Sequence, residues 1–231
     1  MSNYQLQITL LSDAALGRGD GVAGLVNTEV QHDAYGCPYL GGRTLKGLLR
    51  EECVNLLYLL EKMDKVGPWE AAAMRLFGEP GSTLVESAAL YVSDATLAED
   101  LHAAIVHEVD KTKLLTRAQV LDSFTTIRYQ TAVDALTEAP KRESLRAIRV
   151  VLRNTVLTAQ IYLEDAAETE QRKQDLALLT ACTKALRLAG TGRNRGVGEI
   201  RALLLDEQGQ PLSSAAFDDF ATTILHQEVM R

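Results

Sequence analysis

A glycine-rich stretch near the C-terminus, GTGRNRGVGE at residues 190–199, restricts the backbone path more than any other part of the sequence. Glycine lacks a Cβ atom, so it adopts positive φ angles and lets the backbone approach a neighbour closely. Periodic apolar residues predict a helix over 166–189, and an apolar run predicts a strand over 200–205. One prediction for this stretch is a helix C-cap followed by a turn. The other is an anion-binding site, because the stretch contains two arginines.

A second glycine pair, Gly41-Gly42, precedes the clearest helical pattern in the sequence. Apolar residues recur at helical spacing over 45–63, and Thr44 is the expected N-cap. Lys46 and Arg50 lie four residues apart, so they share one face of this helix. The free N–H groups at the start of a helix, beside glycines and cations, predict a phosphate site. An ordinary solvated helix face is the alternative.

The net charge of −7 argues against a free RNA-binding protein, but the charges are unevenly distributed. Basic residues concentrate over 141–153 and 184–201, which suits a subunit that meets its anion inside an assembly.

The three cysteines are widely spaced and predict neither a disulfide framework nor a zinc site, so we expect reduced thiols in a cytoplasmic protein. Cys53 and Cys182 lie on apolar helix faces and are expected in the core. No run of residues is apolar enough to span a membrane.

The remaining pattern predicts an α+β fold with helices on one face of a sheet. The expected strands are 4–12, 26–33, 88–92, 145–151 and 156–163, a further helix is expected over 97–107, and 69–77 is a short segment set off by proline and glycine breaks. Over 111–163 the periodicity weakens and indicates a basic, β-rich arm that needs a partner chain or a nucleic acid to lie against. His102 and His107 have no third metal ligand near them in the sequence, so both are expected at the surface.

Three segments together resemble the RAMP superfamily of CRISPR-associated proteins. One is the early glycine-rich loop at 17–24, and another is the late glycine-rich loop at 190–198, which is similar to a C-terminal signature of the family. Between them, YGCPYLGGRTLKG at 35–47 is similar to the family run G-x-P-x-I-P-G-S-S-L-K-G. The segments SDA at 93–95 and FTTIR at 124–128 are further landmarks. The order and spacing of these segments carry the resemblance, which covers most of the chain.

The resemblance implies a single domain over 1–231, with a ferredoxin-like, RRM-related core and an inserted β-rich thumb at about 111–153. It implies a subunit of a type III CRISPR effector that binds guide RNA and wedges its thumb between guide and target RNA. Such subunits stack head-to-tail, so the expected partners are guide RNA, target RNA and other effector subunits, with no membrane. RNA binding of this kind requires no cofactor.

The family's guide contacts fall on the glycine-rich loops, the first helix and the arm of this sequence. Contacts to phosphates position an RNA without reading its bases, which explains why arginine and lysine predominate among them. The residues that the resemblance assigns to RNA binding are Arg18, His32, Arg43, Thr44, Lys46, Arg50, Arg128, Arg142, Arg146, Gly192, Arg193, Asn194, Arg195 and Gly196.

Some RAMP backbone subunits also cut target RNA with an aspartate and a divalent metal, and that position falls on Asn27 here. An amide binds Mg²⁺ less well than a carboxylate and cannot act as a base, which argues against cutting. Asp20, Glu29 and Asp33 could substitute, and Mg²⁺ would then be the cofactor of a metal-dependent endoribonuclease. The chain could instead be a terminal cap that holds the guide 5′ handle, a subunit that processes guide precursors with His32, or an anion-binding domain unrelated to RNA.

Overall fold

The computed structural model describes residues 1–79, 88–134, 137–141, 144–164, 166, 168–212 and 215–226. Its elements in chain order are β1 (Ser2–Leu10), α1 (Gly42–Lys62), α2 (Trp69–Phe77), β2 (Leu90–Val92), α3 (Glu99–His107), α4 (Arg117–Phe124), β3 (Thr125–Gln130), β4 (Arg146–Val151), β5 (Val156–Leu163), α5 (Thr169–Ala185), β6 (Ile200–Leu205) and α6 (Ala215–His226). Among the described helices, none combines the length and the apolar character needed to cross a bilayer.

Four strands form an antiparallel sheet with the order β2-β5-β1-β6. β1 lies inside the sheet, with Leu6 opposite Ala159 on β5 and opposite Leu204 on β6. Leu6, Ile8 and Leu10 alternate with polar residues and are fully buried, because successive side chains of a strand point to opposite faces. One face of the sheet is therefore apolar and the other is polar.

Helices cover the apolar face of the sheet. α1 and α5 pack on each other, and α2 and α6 pack against α5. The ring centroids of Trp69 and Phe220 lie 4.7 Å apart and join α2 to α6. Cys53 on α1 and Cys182 on α5 are buried in this core as free thiols, as expected from their apolar helix faces. The α+β class, with helices on one face of a sheet, is confirmed.

With α2, α6 and the segment between β2 and β5 set aside, the chain follows the order β1-α1-β2-β5-α5-β6. This is the β-α-β-β-α-β order of ferredoxin-like folds. Leu10 at the end of β1 pairs with Ile200 at the start of β6, and Thr9 pairs with Val156 at the start of β5. The loop after β1, the loop before β6 and the end of the inserted segment therefore meet at one end of the sheet.

The inserted segment contains α3, a π-helical turn (Glu108–Thr112), α4 and the antiparallel strands β3 and β4. Thr125 lies opposite Val151 at one end of this pair, and Gln130 lies opposite Arg146 at the other. We call β3, β4 and the residues between them the thumb. It falls within the β-rich insertion expected at about 111–153, and the division of the chain into one domain with such an insertion stays a prediction.

The start of α1 differs from the sequence-based prediction. The helix begins at Gly42, and its N-cap is Gly41 instead of Thr44. The side chain of Gln31 accepts the N–H of Gly41 at 3.0 Å, and the Asp94 carboxylate accepts the N–H of Gly42 at 2.7 Å. The prediction of Thr44 as the N-cap is wrong because tertiary partners supply the capping oxygens.

Two further local predictions are wrong in the described part of the chain. Residues 26–33 form isolated bridges instead of a strand, including a parallel bridge between Thr28 and Ile148 of the thumb. The weak periodicity after residue 111 conceals α4, which begins with a reciprocal capping box between Thr116 and Gln119. That T-x-x-Q spacing is the sequence signal that could have located the helix.

Candidate nucleic-acid interface

Close backbone packing shapes the late glycine-rich loop. Gly190 and Gly198 have φ angles of +86° and +82°, which favour glycine over residues with a side chain. A Cβ atom at Gly198 would lie 2.2 Å from the carbonyl oxygen of Ala189, and one at Gly190 would lie 2.6 Å from that of Ala15. These two glycines are therefore required for the path of the loop, whether or not it binds a ligand.

Between these contacts the loop presents its arginines on a single 3-10 turn, Arg193–Arg195, flanked by Gly192 and Gly196 in the left-handed region. The Nη1 atom of Arg193 lies 3.1 Å from Oε2 of Glu51, which holds the turn beside α1. Arg195 is exposed and forms no salt bridge with any described residue. One guanidinium is thus paired within the chain, and the other is available to a ligand.

The segment after β1 connects the glycine-rich loop to the thumb. The N–H of Gly198 donates to the carbonyl of Asp13 at 2.8 Å, and the N–H of Thr191 donates to that of Ala15 at 2.9 Å. Between these two residues, Ala14 exchanges two backbone hydrogen bonds, of 2.9 and 2.8 Å, with Val151 of β4. The thumb and the loop are therefore held side by side by the same short segment.

A groove of about 570 Å³ lies between the thumb and the loop. Arg146, the first residue of β4, and Arg195 of the loop both line it, although they are far apart in the sequence. Four of the other lining residues are polar or small, namely Gln130, Thr131, Ala132 and Ser144, and the fifth is the apolar Val133. Two guanidinium groups with hydroxyl and amide neighbours make a surface suited to phosphate oxygens.

Arg128 on β3 forms hydrogen bonds with the segment that follows β1. Its guanidinium donates to Oδ2 of Asp13, and the other oxygen of Asp13 accepts the backbone N–H of Arg153 at 3.1 Å. Burial raises the pKa of Asp13, but the hydrogen bonds and charges of the two arginines outweigh it and leave the pKa below its usual value. Arg128 therefore fixes the base of the thumb and is only partly available to RNA.

The basic side chains of α1 differ in their exposure and in their partners within the chain. Lys46 turns toward β2, where its Nζ donates to the carbonyl of Leu90 at 2.7 Å, and burial together with the charge of Arg50 lowers its pKa. Arg43 and Thr44 are exposed, whereas Arg50 is half-buried. Their assignment to RNA binding stays a prediction, and the geometry gives Lys46 an internal partner.

The remaining residues assigned to RNA binding are distributed as follows. His32 Nδ1 lies 3.3 Å from a guanidinium nitrogen of Arg117 on α4. Arg18 pairs with the neighbouring Asp20, which is itself exposed. Arg142 lies outside the described residues, and only the backbone of Asn194 is described.

Two of the proposed catalytic residues hold the fold together. Glu29 is buried, and its carboxylate accepts from Arg149 of β4, with a closest contact of 3.0 Å. The same guanidinium also donates to Asp122 at 2.9 Å and Thr125 at 3.0 Å. Asn27 accepts the N–H of Ala147 through its side chain. These long-range partners have no local signal in the sequence.

Asp33 has a partner that the sequence does not indicate. Its Oδ2 lies 2.6 Å from Nε2 of His102 on α3, a histidine that was expected at the surface and whose side chain is 35% exposed. Burial raises the pKa of Asp33, but hydrogen bonds from His102 and from the backbone N–H groups of Cys37 and Tyr35 lower it below the usual value. In the described part of the chain, Asp20, Glu29 and Asp33 form no common metal-binding group.

Comparisons with known proteins identify a family and two solved structures with a similar fold. The family model described as the RAMP superfamily matches residues 7–201. A chain of the type III-B Cmr-beta cryo-EM structure bound to cognate target RNA has a TM-score of 0.59 and 12% identity, covering 87% of this chain and 97% of its own. A chain of the apo Cmr-beta structure has a TM-score of 0.60 and 11% identity, covering 89% and 98%.

Curated protein sequences gave no significant match. At identities of 12% and 11%, the two structural similarities establish a shared fold. The family model is independent of that likeness and spans the sheet from β1 to β6. The protein therefore belongs to the RAMP superfamily.

Proposed function

We propose that the protein is a guide RNA-binding backbone subunit of a type III CRISPR ribonucleoprotein. Its family is that of CRISPR-associated RAMP proteins, and its fold is shared with chains of the type III-B Cmr-beta complex. One of those structures is described as bound to cognate target RNA. In this role the subunit contacts guide phosphates and spaces the guide–target duplex with its thumb.

The groove shared by Arg146 and Arg195 is the single observation that carries this proposal. Neither arginine has a salt-bridge partner among the described residues, so an anion does not have to displace an internal carboxylate. Gln130, Thr131 and Ser144 add hydrogen-bonding groups that can reach sugar or phosphate oxygens. Such a groove binds the backbone of a single strand without selecting its sequence.

The thumb carries apolar side chains that the chain itself leaves uncovered. Tyr129 and Val133 are 68% and 64% exposed, which places them among the most exposed large apolar side chains in the described part of the chain. An aromatic ring on an arm beside an RNA groove can stack on a base, and stacking of this kind tolerates any sequence. We assign these residues to the contact between the thumb and the guide–target duplex or a neighbouring subunit.

The proposal is tested by measuring how the purified full-length chain binds single-stranded RNA over a range of salt concentrations. We expect the double variant Arg146→Ala/Arg195→Ala to bind about tenfold more weakly at low salt. Each phosphate contact contributes roughly 0.7 to the slope of log K against log salt for single strands, so two lost contacts reduce it by about 1.4. No cofactor is required in this assay.

Lys173→Ala is the matched control, because Lys173 is an exposed cation on the first half of α5, away from the glycine-rich loop that follows this helix. It should leave affinity and slope nearly unchanged. An unchanged double variant, or an equal loss in the control, would contradict the assignment of the groove. Absence of RNA binding by the wild-type chain and by the assembled complex would contradict RNA binding altogether.

Target cleavage by this subunit would instead require Mg²⁺ and an accessible carboxylate, and Asp20, which pairs with its neighbour Arg18, is the exposed candidate. We expect the assembled complex to leave target RNA uncut at this subunit. Cutting at regular intervals that is lost in Asp20→Ala would establish an endoribonuclease. A native mass showing one copy per complex, in contrast to several, would favour a terminal cap that holds the guide 5′ handle.

A further inference from the structure

A second cluster of chemically active side chains lies away from the arginine groove. A carboxylate oxygen of Asp33, the sulfur of Cys37 and a ring nitrogen of His102 all lie within 4.8 Å of one another. Among the described residues, this is the one group of three that combines potential metal-ligating atoms at such distances. None of the three lines the groove that contains Arg146 and Arg195.

Two of the three residues are fixed relative to each other by a tight turn. Oδ1 of Asp33 accepts the N–H of Tyr35 at 2.8 Å and that of Cys37 at 2.9 Å, and the N–H of Asp33 donates to the carbonyl of Cys37 at 3.0 Å. Gly36 has a φ of +89°, and a Cβ there would lie 2.3 Å from the carbonyl of Arg117. The turn is therefore pressed against α4 and holds the carboxylate and the thiol in place.

The third residue, His102, is oriented from two sides. Its Nε2 lies 2.6 Å from Oδ2 of Asp33, and its ring meets the ring of Tyr35 edge-on at 6.0 Å between centroids. The hydroxyl of Tyr35 donates to Asp110 at 3.1 Å, which fixes the tyrosine in turn. Preorganised ligands with supporting hydrogen bonds are a usual property of metal sites.

We propose that Asp33, Cys37 and His102 form a three-ligand site for Zn²⁺. Carboxylate, thiolate and imidazole are all ligand types that zinc accepts, whereas Mg²⁺ prefers oxygen ligands alone. The alternative is an ion pair between Asp33 and His102 that only links α3 to the turn. Such an ion pair does not require the thiol of Cys37 beside it. The site is independent of the proposed RNA-binding function.

A small movement completes the site. In tetrahedral geometry with zinc–ligand bonds of about 2.0 Å, nitrogen and oxygen ligands are roughly 3.3 Å apart, so the 2.6 Å contact between His102 and Asp33 must widen by about 0.7 Å. The side chains of His102 and Asp33 are 35% and 29% exposed, which leaves the fourth position to water. The imidazole then binds through Nε2 and carries its proton on Nδ1.

Zinc binding is coupled to loss of the thiol proton. Burial, together with the charge of Asp33, raises the pKa of the Cys37 thiol to about 11, so the metal-free residue is protonated at neutral pH. Formation of the zinc–thiolate bond releases this proton to the solvent, with no change of oxidation state.

The experiment uses the purified full-length chain, stripped of metal and titrated with Zn²⁺ alone by calorimetry. We expect one equivalent to bind and the melting temperature to rise with zinc concentration. His102→Asn and Cys37→Ser should each weaken binding by about tenfold or more. His107→Asn is the matched control, because His107 is an exposed histidine on the same helix and should bind zinc as the wild type does.

Cobalt substitution gives a readout that distinguishes ligation from general stabilisation. Co²⁺ bound through Cys37 should give a thiolate charge-transfer band in the near ultraviolet, and this band should disappear in Cys37→Ser. Because Cys37 is buried, its variant is checked for folding by circular dichroism, and His102→Asn provides the second test. Lack of stoichiometric zinc binding by the wild type, or unchanged affinity in His102→Asn, would overturn the proposal.

Discussion

Asn27 accepts a hydrogen bond of 2.7 Å from the backbone N–H of Ala147 through its side-chain oxygen. The backbone N–H of Asn27 also donates to the carbonyl of Ala147 at 2.7 Å, so the two residues are joined twice. Two residues further along β4, the N–H of Arg149 donates to the carbonyl of Thr28 at 3.0 Å. The loop that carries Asn27 therefore runs beside β4, and the amide at the position expected to match the family's catalytic aspartate attaches this loop to the thumb.

The first prediction concerns this attachment. Asn27→Ala should lower the free energy of unfolding by about 0.5–1.5 kcal/mol, because it removes one hydrogen bond near solvent. Asn27→Asp should have a smaller effect, since a carboxylate oxygen can still accept from Ala147. Urea unfolding of the three proteins measures the difference. Equal losses in both variants would show that the bond to Ala147 contributes nothing.

The second prediction concerns the internal partner of Arg193. Glu51→Gln removes the carboxylate that pairs with this arginine at 3.1 Å, which frees the guanidinium and lessens the repulsion of phosphates. We expect RNA affinity at low salt to rise a few fold. Glu61→Gln, at an exposed glutamate near the end of the same helix, should leave affinity unchanged. A decrease in affinity in Glu51→Gln would mean that the pair positions the loop for binding.

The third prediction separates two glycines of the same loop. At Gly196 a Cβ atom meets nothing within 4 Å, so alanine costs only the left-handed backbone, about 1–2 kcal/mol. At Gly198 the Cβ would also overlap the carbonyl of Ala189 at 2.2 Å, so the loss should exceed about 3 kcal/mol. Thermal unfolding of the two alanine variants gives the comparison. Similar melting temperatures would contradict the close packing of the loop.

The fourth prediction concerns the buried charge at the base of the thumb. Arg149→Ala leaves the carboxylate of Glu29 buried without its cation, which should destabilise the protein by about 3–5 kcal/mol. Asp122→Ala removes the other, 68% exposed carboxylate of the cluster and should cost less than about 1 kcal/mol. Chemical denaturation measures both. A mild effect of Arg149→Ala would reopen a catalytic role for Glu29.

The fifth prediction is that the contribution of Asp13 to the stability of the protein depends on pH. The pKa of Asp13 in the folded protein lies below that of an unfolded aspartate, about 3.9, so its ionised form stabilises the fold above that pH. This contribution is lost as the pH falls through the lower, folded-state pKa. Asp13→Asn should therefore be less stable than the wild type at neutral pH, and the difference should shrink below about pH 4. A constant difference across that range would contradict the ionic contact with Arg128.

Much of the fold was predictable because periodicity reports which face of each element is buried. The apolar run at 200–205 coincides with β6, and the helix predicted over 97–107 contains α3 (Glu99–His107). α4 escaped notice because its short apolar stripe is weak, and Thr44 was misplaced because the N–H groups of Gly41 and Gly42 are capped from elsewhere in the fold. Such errors are most frequent where tertiary contacts determine the local structure against the preference of the local sequence.

The candidate site was only partly predictable. The sequence indicates that Arg146 and Arg195 belong to basic segments, but it gives no reason to place them in one groove, and their role in RNA binding stays a prediction. It also treats Lys46 as available, whereas the fold gives it the carbonyl of Leu90. Whether a charged side chain is free depends on partners that are distant along the chain.

By itself the sequence determined most of the element types and their order, the two glycine-rich loops and the amide at residue 27. These properties follow from side-chain volume, backbone freedom and periodic burial, all of which act over a few residues. The tertiary structure alone decided that Glu29 pairs with Arg149 and that Asp33 meets His102. Those pairs form because the sheet brings loops that are distant in sequence to one end of the molecule. No local sequence pattern indicates that such loops lie close together in space.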